Sequence, residues 1–138
     1  MGSPPNARRS TSLSPTIRAV LAIASIATGA IHAAVTPEHL AESAVLGAAF
    51  LMVAMFQVAW AVPAAGGATD GVLTVGAFVN GAVVVAWVVS RTVGLPVGPH
   101  AWVPEAAGFL DVTATALELV VVMIWALAER AVPVRSEV

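Results

Sequence analysis

Four long stretches of almost entirely apolar residues follow one another along the chain, separated by short polar, proline-rich or glycine-rich breaks. Ser14 is a suitable N-cap for the first stretch, and Pro15 suits the first position of a helix. Each stretch is close to the roughly 20 residues that an α-helix needs to cross a bilayer. The pattern predicts an all-α integral membrane four-helix bundle, with spans at about residues 15–35, 37–62, 71–92 and 105–127.

The breaks between the spans set the predicted organisation. Thr36-Pro37 predicts a very tight break, because the residue before a proline is disfavoured in a helix. Residues 93–104 are rich in glycine and proline and form either a lid over the bundle or an interfacial hairpin anchored by Trp102. We expect one transmembrane domain over 15–130, a disordered cytoplasmic tail at 1–14 and a short cytoplasmic tail at 131–138.

Composition supports a membrane protein. Of the 138 residues, 59% are hydrophobic and 10% are charged, whereas a soluble domain carries about 25% charged residues. The chain contains no cysteine, which excludes disulfides and thiolate metal sites. The net charge of -2 gives no reason to expect a nucleic-acid partner.

The arginines predict the orientation. With four spans both termini lie on one side, and that side carries all but one of the arginines. The exception is Arg91. Because positive residues concentrate on the cytoplasmic side, we expect both termini in the cytoplasm of a multi-pass protein of the cell (inner or plasma) membrane, with the lipid bilayer as its surroundings.

Polar residues form one stripe on each predicted helix. At 100° per residue, the members of each stripe share a face, and polar groups inside a membrane turn away from lipid. The stripes therefore predict a polar funnel that opens to the extracytoplasmic side and narrows to Glu118 and Asn80 near mid-membrane. They comprise Ser25, Thr28 and His32; His39, Glu42 and Gln57; Asn80, Trp87 and Arg91; and Asp111, Thr115 and Glu118.

The mouth of the funnel is a candidate metal site. Imidazole and carboxylate groups together suit transition metals, and a His and a carboxylate one turn apart often ligate together in four-helix bundles. The predicted ligands are His32, His39, Glu42 and Asp111, and copper or zinc is the candidate metal. The alternative is that histidines at helix ends only cap or hydrogen-bond.

The remaining candidate pocket residues are Arg91, Glu105, Glu118, Asn80, Trp87 and His100. Arg91 either binds an anionic group or neutralises Asp111 or Glu105. Glu118 is either a proton acceptor, the polar anchor of a ligand, or a partner in an interhelical hydrogen bond.

Three segments carry a resemblance to known proteins. The stretches "GAIHAAVTPEHLAES", "SRTVGLPVGP" and "GFLDVTATALELVVV" resemble a group of small uncharacterised four-span proteins of actinobacterial type, over roughly residues 17–127. The layout is also loosely similar to that of DoxX-like four-span proteins. The resemblance implies the four-span fold and transfers no activity and no functional residue.

The leading hypothesis is an integral membrane protein that binds a metal ion or small ligand in this funnel. The alternatives are a structural or accessory subunit of a larger membrane complex, and a small proton-linked transporter that uses Glu118. A transporter of four spans would need a homo-oligomer to enclose a path. The sequence does not decide whether the protein is an enzyme.

Overall fold

The computed structural model describes residues 13–67 and 69–131, and within them it is all-helical. The predicted tails at 1–14 and 131–138 lie almost entirely outside the described residues. The four helices are α1 (Pro15–Glu42), α2 (Ala44–Gly66), α3 (Asp70–Thr92) and α4 (Phe109–Arg130). All four are long and apolar enough to span a membrane, as a multi-pass membrane protein requires.

The helices run alternately up and down, so each helix is antiparallel to its neighbours. α1 and α2 pack along most of their length, α4 packs on α1 and α3, and α2 and α3 make the fewest contacts. Ser43 and residues 93–108 lie at one end of the bundle, here called the Ser43 end. The start of α1 and the end of α4 lie at the opposite, terminal end.

The first helix begins as the sequence predicts and ends later than predicted. The Ser14 hydroxyl accepts a hydrogen bond from the Ile17 amide at 3.3 Å, and Pro15 follows it at the first helical position. The predicted break at Thr36-Pro37 does not occur, since α1 continues through Pro37 to Glu42. Proline is tolerated inside membrane helices because nearby side chains readjust the freed backbone groups, and the Thr36 hydroxyl donates to the His32 carbonyl at 2.7 Å.

The other boundaries differ from the predicted ones for local reasons. α2 begins right after Ser43, whose backbone is extended. It passes Pro63 and ends at Gly66, just before Gly67, whose φ is 96°. α4 begins at Phe109 instead of about residue 105. The Asp111 side chain accepts the Gly108 amide at 2.9 Å and fixes this start.

Apolar side chains fill the terminal half of the bundle. The core residues there are Leu21, Ala24, Trp60, Ala64, Leu73 and Val121. The Trp60 indole lies between α2 and α3, donates to the Val72 carbonyl at 2.8 Å, and rests against Gly76. Many large apolar side chains, such as Ile23 and Val62, point outward instead. An apolar exterior of this kind suits a lipid surrounding.

A side chain at Gly76 would disturb this packing. A Cβ at that position would overlap the Trp60 ring, whereas a Cβ at Gly81 meets only Val122 at 3.9 Å. We expect Gly76→Ala to lower the free energy of unfolding in detergent by about 1–3 kcal/mol. Gly81→Ala, the control on the same helix, should leave it unchanged or raise it slightly. Equal stability of the two variants in a denaturant titration would contradict the close Trp60–Gly76 packing.

Candidate functional site

One polar residue from each helix meets in the middle of the bundle. His32 of α1, Gln57 of α2, Asn80 of α3 and Glu118 of α4 are all at most 7% exposed. We call these four residues the polar layer. Each comes from the polar stripe of its helix, so the stripes do turn inward together. Polar groups in hydrocarbon need partners inside the protein, and the layer provides them.

Glu118 is the centre of the layer. Its Oε1 lies 3.0 Å from His32 Nε2 and accepts a hydrogen bond from Gln57 Nε2 at 3.1 Å. The contact with His32 requires one proton, carried either by the imidazole or by the carboxyl group. Gln57 Nε2 also donates to Asn80 Oδ1 at 3.3 Å, and Asn80 Nδ2 donates to the Gly76 carbonyl at 2.8 Å.

Small and hydroxylated residues of α1 hold this geometry. Ser25 donates to the Gln57 carbonyl at 2.7 Å, which ties α1 to α2. Gly29 lets the two backbones approach, because a Cβ there would lie 3.1 Å from the Ala54 carbonyl oxygen. The Thr28 hydroxyl donates to the Ala24 carbonyl of its own helix. His32 and Gln57 therefore reach the same side of Glu118.

A second polar cluster lies at the Ser43 end. Arg91 contacts Glu105 at 2.5 Å and Asp111 at 2.6 Å, and its guanidinium carbon lies 5.8 Å from the centre of the Trp87 ring. The Arg91 side chain is largely buried. Arg91 thus pairs with both of the carboxylates predicted as its possible partners, Glu105 and Asp111. These contacts tie residues 93–108 to α3 and α4.

The third cluster is formed by the second histidine. The His39 ring stacks on Phe50 at 3.9 Å, and its Nδ1 lies 3.6 Å from Glu42 Oε2. The edge of the His32 ring contacts the same Phe50, with centroids 5.4 Å apart. Phe50 therefore contacts both histidines.

A cavity of about 410 Å³ connects these clusters. Ligand pockets usually measure about 300–1,000 Å³, so the volume fits a small molecule. Its walls come from all four helices and are mostly apolar. Asp111 and Glu118 both line it and are seven residues apart on α4, so the charged end lies about 10 Å from the polar layer. The polar lining residues are His32, His39, Trp87, Ser90, Arg91, Glu105, Asp111, Thr115 and Glu118.

One end of this cavity, here called the floor, consists of Thr115 and two members of the polar layer, His32 and Glu118. Other helical threonines, such as Thr28 and Thr36, donate to a backbone carbonyl one turn earlier. Thr115 is 8% exposed, and within the described residues its hydroxyl makes no hydrogen bond. Likewise, no hydrogen bond joins Glu118 Oε2 to any of the described side chains or backbone groups.

Three further buried nitrogens near the Ser43 end lack hydrogen-bond partners among the described residues. They are the N–H donors Trp87 Nε1 and Arg91 Nε, and His39 Nδ1. All three belong to side chains that line the cavity. Gln57 Oε1, in the polar layer, is a buried acceptor that receives no hydrogen bond from the described residues. Buried unpaired groups are uncommon and often mark a place where water or a ligand binds.

The predicted site residues divide into two groups. His32, His39, Trp87, Arg91, Glu105, Asp111 and Glu118 line one cavity, whereas Glu42, Asn80 and His100 do not. His100 is exposed in the segment 93–108, and its carbonyl accepts the Val103 amide at 3.1 Å. Glu118 bonds His32 and Gln57, and it reaches Asn80 only through Gln57.

The predicted metal ligands are engaged with other groups. His32 contacts Glu118, His39 lies near Glu42, and Asp111 contacts Arg91. Among residues 13–67 and 69–131, no three His, Asp or Glu side chains are placed to share one metal ion. Binding of copper or zinc by His32, His39, Glu42 and Asp111 stays a prediction.

Depth explains why His32 lies in the polar layer and not at the mouth where it was expected. Because α1 runs on to Glu42, His32 is ten residues from the end of its helix, or about 15 Å at 1.5 Å per residue. The sequence places Gln57 and Thr115 on the polar stripes but assigns neither of them a role in the site. Their helical spacing already placed them on the inner faces, whereas no sequence signal pointed to Phe50.

Comparison with known proteins does not identify a relative. No family model, no curated protein and no solved structure matches the chain. The function must therefore be argued from the geometry of the cavity and the polar layer.

The His32–Glu118 contact should contribute measurably to stability. We expect a double-mutant cycle of His32→Ala and Glu118→Ala, followed by unfolding in detergent, to give a coupling free energy of about 0.5–2 kcal/mol. The same cycle on His39 and Glu42, which are more exposed and 3.6 Å apart, should give a value close to zero. Equal coupling in the two pairs would contradict the central role of the buried pair.

Arg91 should hold the segment 93–108 in place. In Arg91→Leu we expect backbone amides of this segment, including Trp102 and Glu105, to exchange hydrogen about tenfold faster, since two charge-assisted hydrogen bonds are lost. Arg130→Leu changes the charge equally at the terminal end and serves as the control. Hydrogen exchange measured by mass spectrometry would contradict this role if the segment stayed equally protected in both variants.

Proposed function

We propose that the protein binds a small organic molecule inside the membrane, in the cavity between its four helices. The observation that carries the proposal is the floor. At the end of a mostly apolar cavity it presents the Thr115 hydroxyl and Glu118 Oε2, neither of which forms a hydrogen bond with any of the described residues. Binding sites for small molecules typically combine apolar walls with a few polar groups that orient the ligand.

The proposed location is the cell membrane, with both termini in the cytoplasm. Arg18 and Arg130 lie at the terminal end and Arg91 at the Ser43 end, and the other arginines near the termini belong to the same side by sequence. The excess of positive charge supports a cytoplasmic terminal end. The Ser43 end, with its charged cluster, would then face away from the cytoplasm.

An organic ligand accounts for more of the geometry than a metal ion does. His32 and His39 each have one carboxylate near them, so a metal at either pair would need further ligands from water or from a bound molecule. The apolar walls of the cavity supply no ligand atoms for such an ion. An accessory subunit held together by the polar layer would use the layer and leave the cavity without a role.

A tryptophan that fills the cavity should prevent binding. Ala49 lines the cavity and is half-buried, whereas the adjacent Ala48 is exposed and does not line it. We expect wild type and Ala48→Trp, purified in native lipid discs, to retain a common extractable compound that Ala49→Trp has lost at least tenfold. Organic extraction followed by mass spectrometry measures this, and thermal unfolding checks that both variants are folded.

The result that would overturn the proposal is the same set of bound compounds in both tryptophan variants. Elemental analysis of the same samples tests the metal prediction separately. One equivalent of copper or zinc in wild type, lost in His32→Ala and retained in His100→Ala, would support a metal site. Metal-free wild-type protein would remove the metal hypothesis and leave the organic ligand unaffected.

A further inference from the structure

The segment 93–108 partly covers the cavity at the Ser43 end. Leu95 and Glu105 line the cavity from this segment, and the Glu105 side chain is 47% exposed. Gly98 lies over Leu46, to which a Cβ would come within 3.1 Å. The segment is fixed by its own hydrogen bonds. The backbone amide of Trp102 donates to the Leu95 carbonyl at 2.8 Å, and the backbone amide of Glu105 donates to the Ser90 carbonyl at 3.0 Å. A cover built in this way restricts entry from the aqueous side.

The same cavity is open on its flank, between α2 and α3. These two helices make the fewest contacts of any neighbouring pair. Phe78 lines the cavity although its side chain is 79% exposed, and Ala82 and Ala86 line it from exposed positions on α3. Phe78 is fourteen residues from the end of α3 at Thr92, or about 21 Å along the helix. The opening therefore lies at the depth of the hydrocarbon.

The charges of the lining disfavour an ionic occupant. Arg91 is the lining residue with a fixed positive charge, and it already contacts two carboxylates. An anionic ligand would compete with Glu105 and Asp111 for it, and an isolated charge at the floor would be costly. A cationic ligand would compete with Arg91 for the carboxylates of Glu105 and Asp111, and entry from the bilayer would take its charge through hydrocarbon, which is costly. A neutral molecule meets neither penalty.

The floor determines which polar group such a molecule needs. Glu118 Oε2 can accept a hydrogen bond, and the Thr115 hydroxyl can donate one. The two residues are three apart on α4 and therefore neighbours on one helix face. A hydroxyl group can donate to the first and accept from the second at the same time, whereas a carbonyl group can only accept.

We propose that the ligand is a neutral, lipid-soluble alcohol, which enters from the bilayer between α2 and α3 and places its hydroxyl group on Thr115 and Glu118. This inference rests on the proposed function and adds the class of ligand and the route of entry. The covered Ser43 end, the open flank at hydrocarbon depth and the unpaired floor atoms support it together.

Spin labels test the route directly, because the chain has no native cysteine. Labels are placed at Val53→Cys, which lines the cavity, at Met52→Cys, which is exposed on the outer surface of α2, and at Val103→Cys, which is exposed in the segment 93–108. In proteoliposomes, molecular oxygen reports contact with lipid, and nickel(II) ethylenediaminediacetate reports contact with water. We expect the Val53 label to collide with oxygen, as the Met52 label does, and not with the nickel complex.

The alcohol 1-decanol tests the ligand class in the same samples. We expect it to lower the oxygen collision rate of the Val53 label and to leave that of the Met52 label unchanged. Thr115→Val keeps the shape of the side chain and removes the hydroxyl, so half-saturation should need about tenfold more decanol, the equivalent of about 1.4 kcal/mol. Thr113→Val is the matched control, since Thr113 donates to the Phe109 carbonyl and does not line the cavity.

The outcomes separate this inference from the proposed function. A Val53 label that is open to the nickel complex would overturn lateral entry, and the proposed function would stand if the tryptophan variants still differ in bound compound. A decanol effect that is absent, or equal in Thr115→Val and Thr113→Val, would overturn the alcohol class. The proposed function itself fails only if Ala49→Trp and Ala48→Trp retain the same compounds.

Discussion

The structure depends on the requirement that a buried carboxyl group be satisfied inside an apolar bundle. Glu118 is 1% exposed, and a carboxyl group without partners in hydrocarbon costs several kcal/mol. His32 and Gln57 bond it directly, and Asn80 supports Gln57. Because each partner comes from a different helix, these contacts fix both the rotation and the depth of all four helices. Association of apolar helices in lipid has little hydrophobic driving force of its own, so this layer supplies specificity that the apolar faces lack.

The cavity follows from an uneven distribution of large side chains on either side of the polar layer. On the terminal side, the Trp60 indole fills the space between α2 and α3 and rests against Gly76. On the other side, Ala49 and the α3 alanines at positions 82 and 86 line the corresponding space, and the nearby Phe50 stacks on His39. A large side chain thus fills the space between the two helices at one end, and small side chains leave that space unfilled at the other end. The open flank is therefore a consequence of residue size and needs no strain in either helix.

The sequence predicts which way the polar side chains face better than it predicts how deep in the bundle they lie. The length of the apolar stretches predicts four spans, the residue types of Ser14 and Pro15 predict the cap, and helical periodicity predicts the inward turn of the polar stripes, because burial of polar groups in a membrane is a strong constraint. The sequence misplaces the end of α1, since proline breaks helices in water more reliably than in an apolar bundle. That one error moved His32 from the polar layer to the mouth and made it a neighbour of His39. The hydrogen-bond partners within the layer cannot be predicted from the sequence either. Helical phase places a side chain on a face of its helix, and it does not decide whether Asn80 or Gln57 is the partner of Glu118.

The two sides of the polar layer differ in a way that helix association alone does not explain. Toward the terminal end, Asn80 completes its hydrogen bonds with the Gly76 carbonyl of its own helix, and apolar core packing begins at once beyond it. Toward the cavity, Thr115 lacks the backbone hydrogen bond that Thr28 and Thr36 make. A layer that served only to hold helices together would gain stability from closing on both sides, since each unpaired buried group costs about 1–3 kcal/mol. The unpaired Thr115 hydroxyl and Glu118 Oε2 lie on the cavity side, where a further molecule can reach them, whereas the unpaired Gln57 Oε1 does not line the cavity. A molecule bound at the floor, as proposed above, would recover the stability given up at Thr115 and Glu118.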